Sequence, residues 1–276
     1  MRRLLVLSTL AFATPSFVPA QQAVAPVPPA VAPAPEKAAP AAGSKIWLGR
    51  YAEYAEYLRT APIVKVIDVG QGVTKPRRAF FRSGGIAESA LVKALRPGRR
   101  AGFWESYKSE IAAYEMDRLL GLDMVPVTVE RRVEGARASV QLWLKGRLLS
   151  QIEEQKPRDQ REWNRQVCRH RVFDALIANI DRNQGNILVD DEWNVILIDH
   201  SRAFALNRMP FEKEITRVDR ELFEALKALE EETVMERLKP WLFESSIHRL
   251  LERRDKLVAK LEGLVEEKGE AAVFSF

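Results

Sequence analysis

The chain has 276 residues, 46% of them hydrophobic and 29% charged, enough apolar material for one domain or one two-lobed domain with a sizeable core. The formal net charge is +5, acids and bases are interspersed, and no basic stripe with interleaved aromatics occurs, which excludes a nucleic-acid-binding role. One cysteine, Cys168, excludes an intrachain disulfide framework and a cysteine-rich zinc site, and the three histidines, His170, His200 and His248, show no ligand spacing.

The first twenty residues read as a secretory signal peptide. Arg2 and Arg3 make a basic start, Leu4 to Ala13 an apolar run, and Val18-Pro19-Ala20 a small-residue exit. The run is well under the ~20 residues that a spanning helix needs. No cysteine follows it to carry a lipid anchor, and nothing later in the sequence is long and apolar enough to span. The chain is therefore expected to be exported to a periplasmic or extracellular space, with a mature charge nearer +3 (5 − 2). Residues 21–43, QQAVAPVPPAVAPAPEKAAPAAG, are rich in proline and alanine without apolar period, which predicts an extended tether. The folded domain is then 44–276.

Its first element is a helix over 44–61, with Trp47, Tyr51, Tyr54 and Leu58 at helical spacing. Three strand-like runs follow. VKVIDVG (64–70) and KPRRAFF (75–81) are joined through Gly70-Gln71-Gly72, and ESALVKAL (88–95) comes after Ser83-Gly84-Gly85. Lys93 is a charged residue in an otherwise apolar strand. A helix from Trp104 to Leu120 would stack Trp104, Tyr107, Ile111 and Tyr114 on one stripe. Glu110 flanks that stripe, and a carboxylate at the edge of a buried face wants a partner. Glu105 and Glu115 are its rivals. VPVTVERRV (125–133) and ASVQLWL (138–144) make two more strands around a Glu134-Gly135 turn.

Past Leu144 the pattern turns helical. A helix is expected over 159–180, with Phe173, Leu176, Ile177 and Ile180 on one face and Cys168 as a small buried hydrophobe. Two short strands, NILV (186–189) and NVILID (194–199), flank a polar turn at 190–194. Residues 218–268 read as helical and charged. The order is a small antiparallel sheet with one helix, about 44–145, then a mostly helical part, about 146–276: a two-lobed α+β fold.

The segment NIDRNQGNILVDDEWNVILIDHSRAF (179–204) carries the chemistry. A hairpin there can return Asp199 to the loop that bears Asp181 and Asn186. Two carboxylates and an amide oxygen would meet at the rim of a buried sheet. Magnesium is typically held by one or two carboxylates together with substrate phosphates, and the remaining acid can receive or orient a proton. Taken singly, Asp181 could be a helix cap, Asn186 a turn residue and Asp199 a strand-end acid; together they read as a site.

DRNQGNIL followed by LID resembles the catalytic loop and metal-binding segment of atypical kinases, and is similar to the D-R-H-x-x-N pattern of phosphoinositide kinases. SEIAAYEMDRLLGLDMVPVTVERR (109–132) resembles the corresponding helix and strand of the secreted Golgi kinases. The resemblance runs from about Val66 to Phe204 and implies a two-lobed protein-kinase-like fold. It implies Asp181 as the catalytic acid, Asn186 and Asp199 as ligands of Mg²⁺ or Mn²⁺, and Lys93 on the α- and β-phosphates of ATP or another nucleoside triphosphate. It also implies Glu110 as the partner of Lys93. Gly70 and Gly72 would bring backbone amides to the phosphates, although two glycines between strands are also an ordinary hairpin turn. The sequence departs from the pattern at Asn183, where phosphoinositide kinases have histidine, and at His200-Ser201, where Phe-Gly often follows the metal aspartate. The implied activity is transfer of a γ-phosphoryl group to a hydroxyl of a protein, sugar or lipid headgroup. The alternatives are a nucleotide-binding pseudokinase and a plain interaction domain on a tether.

Overall fold

The structure is a computed structural model that describes residues 45–70, 75–152, 156–204 and 209–276. The signal peptide, the tether and Gly72 lie outside the described residues.

Helix α1 spans Tyr51–Thr60, seven residues later than the sequence suggests. Gly49, at φ +71, interrupts the helical path, and Lys45 to Arg50 form a turn closed by Leu48 N–H donating to Lys45 O and Arg50 N–H to Trp47 O. Trp47 reaches the core from that turn with no exposed surface. The helix stops at Ala61, whose backbone is extended (ψ 135°), as a residue before proline prefers.

Strands β1 (Ile63–Asp68), β2 (Arg77–Phe81) and β3 (Ser89–Lys93) run antiparallel, Asp68 facing Arg77 and Arg77 facing Val92. A short hairpin of β4 (Gly98–Arg100) and β5 (Phe103–Glu105) precedes helix α2 (Tyr107–Leu120). This hairpin corrects the helix start expected at Trp104. Trp104 and Glu105 are strand residues, and Ser106 caps α2 by accepting the Lys108 N–H at 3.0 Å. Gly121 at φ +61 ends the helix in the left-handed conformation that favours glycine. Strands β6 (Thr128–Val133) and β7 (Ala136–Leu142) complete a five-stranded antiparallel sheet ordered β1-β2-β3-β7-β6. Helices α1 and α2 both pack on β6 and β7. The central strands are buried on both faces, so their alternation is blurred.

After β8 (Arg147–Leu148) comes helix α3 (Gln160–Leu176), capped by Asp159, which accepts from Arg161 N–H and Glu162 N–H. It ends four residues before Ile180, because Ala178 turns to φ +49. Strands β9 (Ile187–Val189) and β10 (Val195–Leu197) pair through Ile187–Leu197 and Val189–Val195, with β8 added to the other edge of β9. Asp190 closes their turn by accepting from the N–H groups of Glu192 (2.9 Å) and Asn194 (2.8 Å). The helical stretch from Val218 divides into α4 (Arg220–Ala228), α5 (Glu231–Leu238), α6 (Glu244–Lys268) and a final turn, α7 (Glu270–Val273). Pro240 stands in the break between α5 and α6, where its missing N–H stops continuation. Among the described residues no helix is long and apolar enough to cross a membrane.

Candidate active site

Lys93 is the last residue of β3, opposite Ser139 of β7, and its side chain enters the interior at 4% exposure. An unpaired ammonium there would be costly. Its Nζ donates to Glu110 Oε1 at 2.6 Å and lies 2.8 Å from Asp199 Oδ1. Burial alone would lower the ammonium's pKa, but the charges of Glu110 and Asp199 raise it above its ordinary value. Burial likewise opposes ionisation of Glu110 and Asp199, and the Lys93 charge reverses this and holds both carboxyls below their usual range. All three groups are therefore charged at neutral pH.

The structure separates the three candidate glutamates. Glu110 lies in the first turn of α2, where the positive end of the helix dipole favours an acid. Glu105, on β5, is equally buried but pairs with Arg202 (Nη2 to Oε1, 2.7 Å). Glu115 pairs with Arg237 at 2.9 Å.

The loop between α3 and β9 is organised by Arg182, which the sequence reading does not single out. Its Nε and Nη2 donate to both oxygens of Asp174, a wholly buried acid on α3, at 2.8 and 3.0 Å. Its Nη1 donates to Asn186 O (2.6 Å) and Ile198 O (2.7 Å). One guanidinium thus joins α3, the loop and the end of β10. Arg182 Nη2 also lies 2.9 Å from His200 Nε2. Because arginine only donates, Nε2 is the acceptor and the imidazole is the neutral Nδ1–H tautomer. Burial holds the His200 pKa below its ordinary value. Nδ1 lies 3.8 Å from Glu110 Oε2, and the His200 backbone N–H donates to that same oxygen at 3.0 Å. His200 and Arg182 therefore link the Lys93–Glu110 pair to the loop of Asp181. The only sequence signals are that Arg182 sits inside the DRNQGN motif and that His200 follows the metal-type aspartate.

Asp181 and Asn186 share that loop. Asn183 folds it: Oδ1 accepts from Gly185 N–H (2.8 Å), and Nδ2 donates to Asp181 O (3.0 Å). Asn186 Nδ2 donates to Asp181 O at 3.0 Å, so its amide nitrogen is engaged and Oδ1 is the atom left to act as a ligand. Ile198 N–H donates to Asn186 O at 3.2 Å, which brings Asp199 next to Asn186 along the backbone. Asp199 takes φ +57, a left-handed conformation uncommon for a side-chain-bearing residue. Its Oδ1 accepts from Ser201 Oγ (2.9 Å) and from Lys93, so Oδ2 is the oxygen without a protein donor among the described residues. Two hard oxygen donors from adjacent backbone segments suit a small divalent cation that completes its shell with phosphates and water. Among the described residues no three His, Cys, Asp or Glu side chains form a metal cage.

Asp181 is the more open acid. Its side chain is 42% exposed, and Oδ2 accepts from Arg202 Nη1 at 3.1 Å. Gly70 lies two residues past β1 at φ +73, and a Cβ added there would meet nothing within 4 Å. Its requirement for glycine comes from the backbone turn.

No family model matches the sequence, and no curated protein matches it at a significant level. Solved structures do match the fold. The Golgi casein kinase structure is 17% identical with a TM-score of 0.59, covering 81% of this chain and 78% of its own, and a second structure with Mn/ADP bound matches equally. A hydra Fam20 structure with sugar is 15% identical with a TM-score of 0.62, over 81% and 91% of the two chains. The Helicobacter pylori proinflammatory kinase CtkA is 13% identical with a TM-score of 0.52, over 77% and 96%. This chain has an atypical-kinase-like fold. The likeness to phosphoinositide kinases rests on the loop sequence alone.

Proposed function

We propose that this chain is an exported atypical kinase that transfers the γ-phosphoryl group of ATP or a related nucleotide to a hydroxyl of a protein, sugar or lipid headgroup. The observation that carries the reading is the buried Lys93 bridging Glu110 and Asp199, with Asn186 and Asp181 on the adjoining loop. Lys93, fixed by Glu110, would contact the α- and β-phosphates; backbone amides near Gly70 and Gly72 would cover them. Asn186 and Asp199 would hold Mg²⁺ or Mn²⁺, which would offset the charge gathering on the β- and γ-phosphate oxygens. The Golgi casein kinase structure with Mn/ADP bound supports that pairing of ligands.

Phosphoryl transfer has a loose transition state and depends on positioning and charge neutralisation. The acceptor oxygen forms a bond to the γ-phosphorus as the bond to the bridging oxygen breaks and the nucleoside diphosphate leaves. Asp181 would orient the acceptor hydroxyl and take its proton late in that step. Asn183 cannot accept a proton at neutral pH, and its hydrogen bonds to Gly185 and Asp181 support a loop-holding role.

A second reading, a nucleotide-binding pseudokinase, draws on the ion pair that occupies Asp181 Oδ2 and on asparagine at residue 183. Thermal shifts of the purified protein with ATP, ADP, Mg²⁺ and Mn²⁺, followed by labelled-phosphate transfer including autophosphorylation, distinguish the two. Binding with transfer supports the kinase, and binding without transfer supports the pseudokinase. If neither occurs, both readings fail. Export is tested by N-terminal sequencing of the mature chain, where an intact Met1 in a cytoplasmic fraction overturns it.

A further inference from the structure

Arg202 stands three residues beyond Asp199 and touches groups from two separate parts of the chain. Its Nε and Nη2 both reach Oε1 of the buried Glu105 on β5, at 2.8 and 2.7 Å. Its Nη1 donates to Asp181 Oδ2 at 3.1 Å. The guanidinium lies 4.6 Å from the centre of the Phe103 ring. Glu105 immediately precedes Ser106, the cap of α2, and Ser106 N–H donates to Ser201 O at 3.0 Å. The Arg202 loop is thus clamped to the start of the helix that carries Glu110. Glu105 and Phe103 fix the guanidinium, and the fixed guanidinium meets Asp181, an acid whose side chain is only partly buried. A partly exposed ion pair adds only modestly to stability, whereas its geometry fixes where the carboxylate points.

We infer that Arg202 is a positioning residue, which aims the Asp181 carboxylate and makes that aim depend on the placement of α2. With Oδ2 held by Arg202, Oδ1 is the oxygen left for the acceptor hydroxyl. Movement of α2 that breaks the Lys93–Glu110 pair also moves Glu105, and with it the arginine that orients Asp181. Nucleotide engagement and acceptor chemistry are thereby coupled through one side chain. The inference rests on the kinase reading of Asp181.

The test uses the full-length protein, Arg202→Ala and Arg202→Lys, each also combined with Asp181→Asn. Misplacing a reacting group by about 1 Å can cost ~10²-fold. Arg202→Ala is expected to lower kcat for transfer by about that factor, with the ADP–Mn²⁺ thermal shift and the KM for ATP unchanged. Arg202→Lys keeps the charge but neither stacks on Phe103 nor forks between Glu105 and Asp181, so it stays impaired, with kcat down ~10-fold. If Arg202 acts through Asp181, adding Asp181→Asn to either variant costs much less than it does in the wild type. Wild-type transfer by both Arg202 variants, or full additivity with Asp181→Asn, overturns the inference and leaves the kinase reading standing. Failure of the wild type itself to transfer overturns both. Should Arg202→Ala not fold, the kcat of Arg202→Lys and its cycle with Asp181→Asn decide the matter.

Discussion

On the side of the site that the proposal gives to the nucleotide, Lys93 and Glu110 are sealed from solvent, and each charge is fixed by groups from β3, α2 and the Asp199 loop. On the side that the proposal gives to the acceptor, Asp181 is partly exposed, and its loop is held by hydrogen bonds from Asn183 and Asn186 and by two arginines, Arg182 and Arg202. The first arrangement is part of the core, so damage to it is damage to the fold. The second is a loop attached to the core through Arg182, so a change there alters chemistry without unfolding the chain. Buried charges need partners because they have lost their water, whereas an exposed carboxylate keeps its hydration. On the proposed reading, the rigid side would grip phosphates and the more open side would admit an acceptor.

The largest effect should come from Lys93→Ala. It leaves Glu110 and Asp199 facing each other without a cation, and breaking a buried pair by removing one partner costs about 3–5 kcal/mol. Urea unfolding should show that loss together with disappearance of the nucleotide-dependent thermal shift. A variant with wild-type stability would remove the distinction between the two sides.

Asp181→Asn should do the opposite. Transfer is expected to fall ~10²–10⁴-fold, while stability changes by no more than ~0.5 kcal/mol, as at other exposed sites. Asn183→Ala, assayed beside it, should lose less activity, because it loosens the loop without removing the acid. Full activity in the Asp181 variant with loss in the Asn183 variant would reverse the assignment of the two residues.

A smaller effect tests whether the cost of buried charge extends along α2. Asp117 is wholly buried, accepts from Met124 N–H (2.9 Å) and Val125 N–H (3.0 Å), and has no partner for Oδ2 among the described residues. Burial pushes its carboxyl up to about 7 from an ordinary 3.8. With the folded pKa raised, the folded state keeps a proton that the unfolded chain has released, so this group's contribution is intact below pH 3.8 and is lost as pH rises through about 7. Asp117→Asn keeps an accepting oxygen and removes that titration. Chemical denaturation should show the variant stabilised at pH 8 by a few kcal/mol, ~4 at most, with the difference shrinking towards pH 4. Equal gains at both pH values would mean that the Asp117 carboxyl is not the titrating group.

How much of this was readable in the sequence depends on the range of the interaction. Lys93 stands out because an apolar strand leaves a lone lysine conspicuous, and the DRNQGN loop stands out because one acid and three amides cluster within six residues. Helix α2 is legible from its apolar stripe, but its start is not: a strand ending in Trp104-Glu105 places aromatic residues where a helix would also place them, and only pairing with β4 separates the two. Residues 218–268 read as helical and charged, and that pattern does not mark the breaks at 229–230 and 239–243, which divide α4, α5 and α6.

The sequence by itself determined the order of sheet and helices, the lysine, and the spacing of Asp181, Asn186 and Asp199, since periodicity and local composition act over a few residues. The sequence pointed to Glu110 but left Glu105 and Glu115 as rivals, and tertiary structure separated the three by burying Glu110 beside the ammonium and pairing the others with Arg202 and Arg237. Tertiary structure alone decided that Asp199 adopts a left-handed backbone, under hydrogen bonds from Ser201 and Lys93. It alone joined His200 to Glu110 across 90 residues and gave Arg182 and Arg202 their partners. A guanidinium's partners are fixed only when separate segments close around it, and no local pattern encodes that closure.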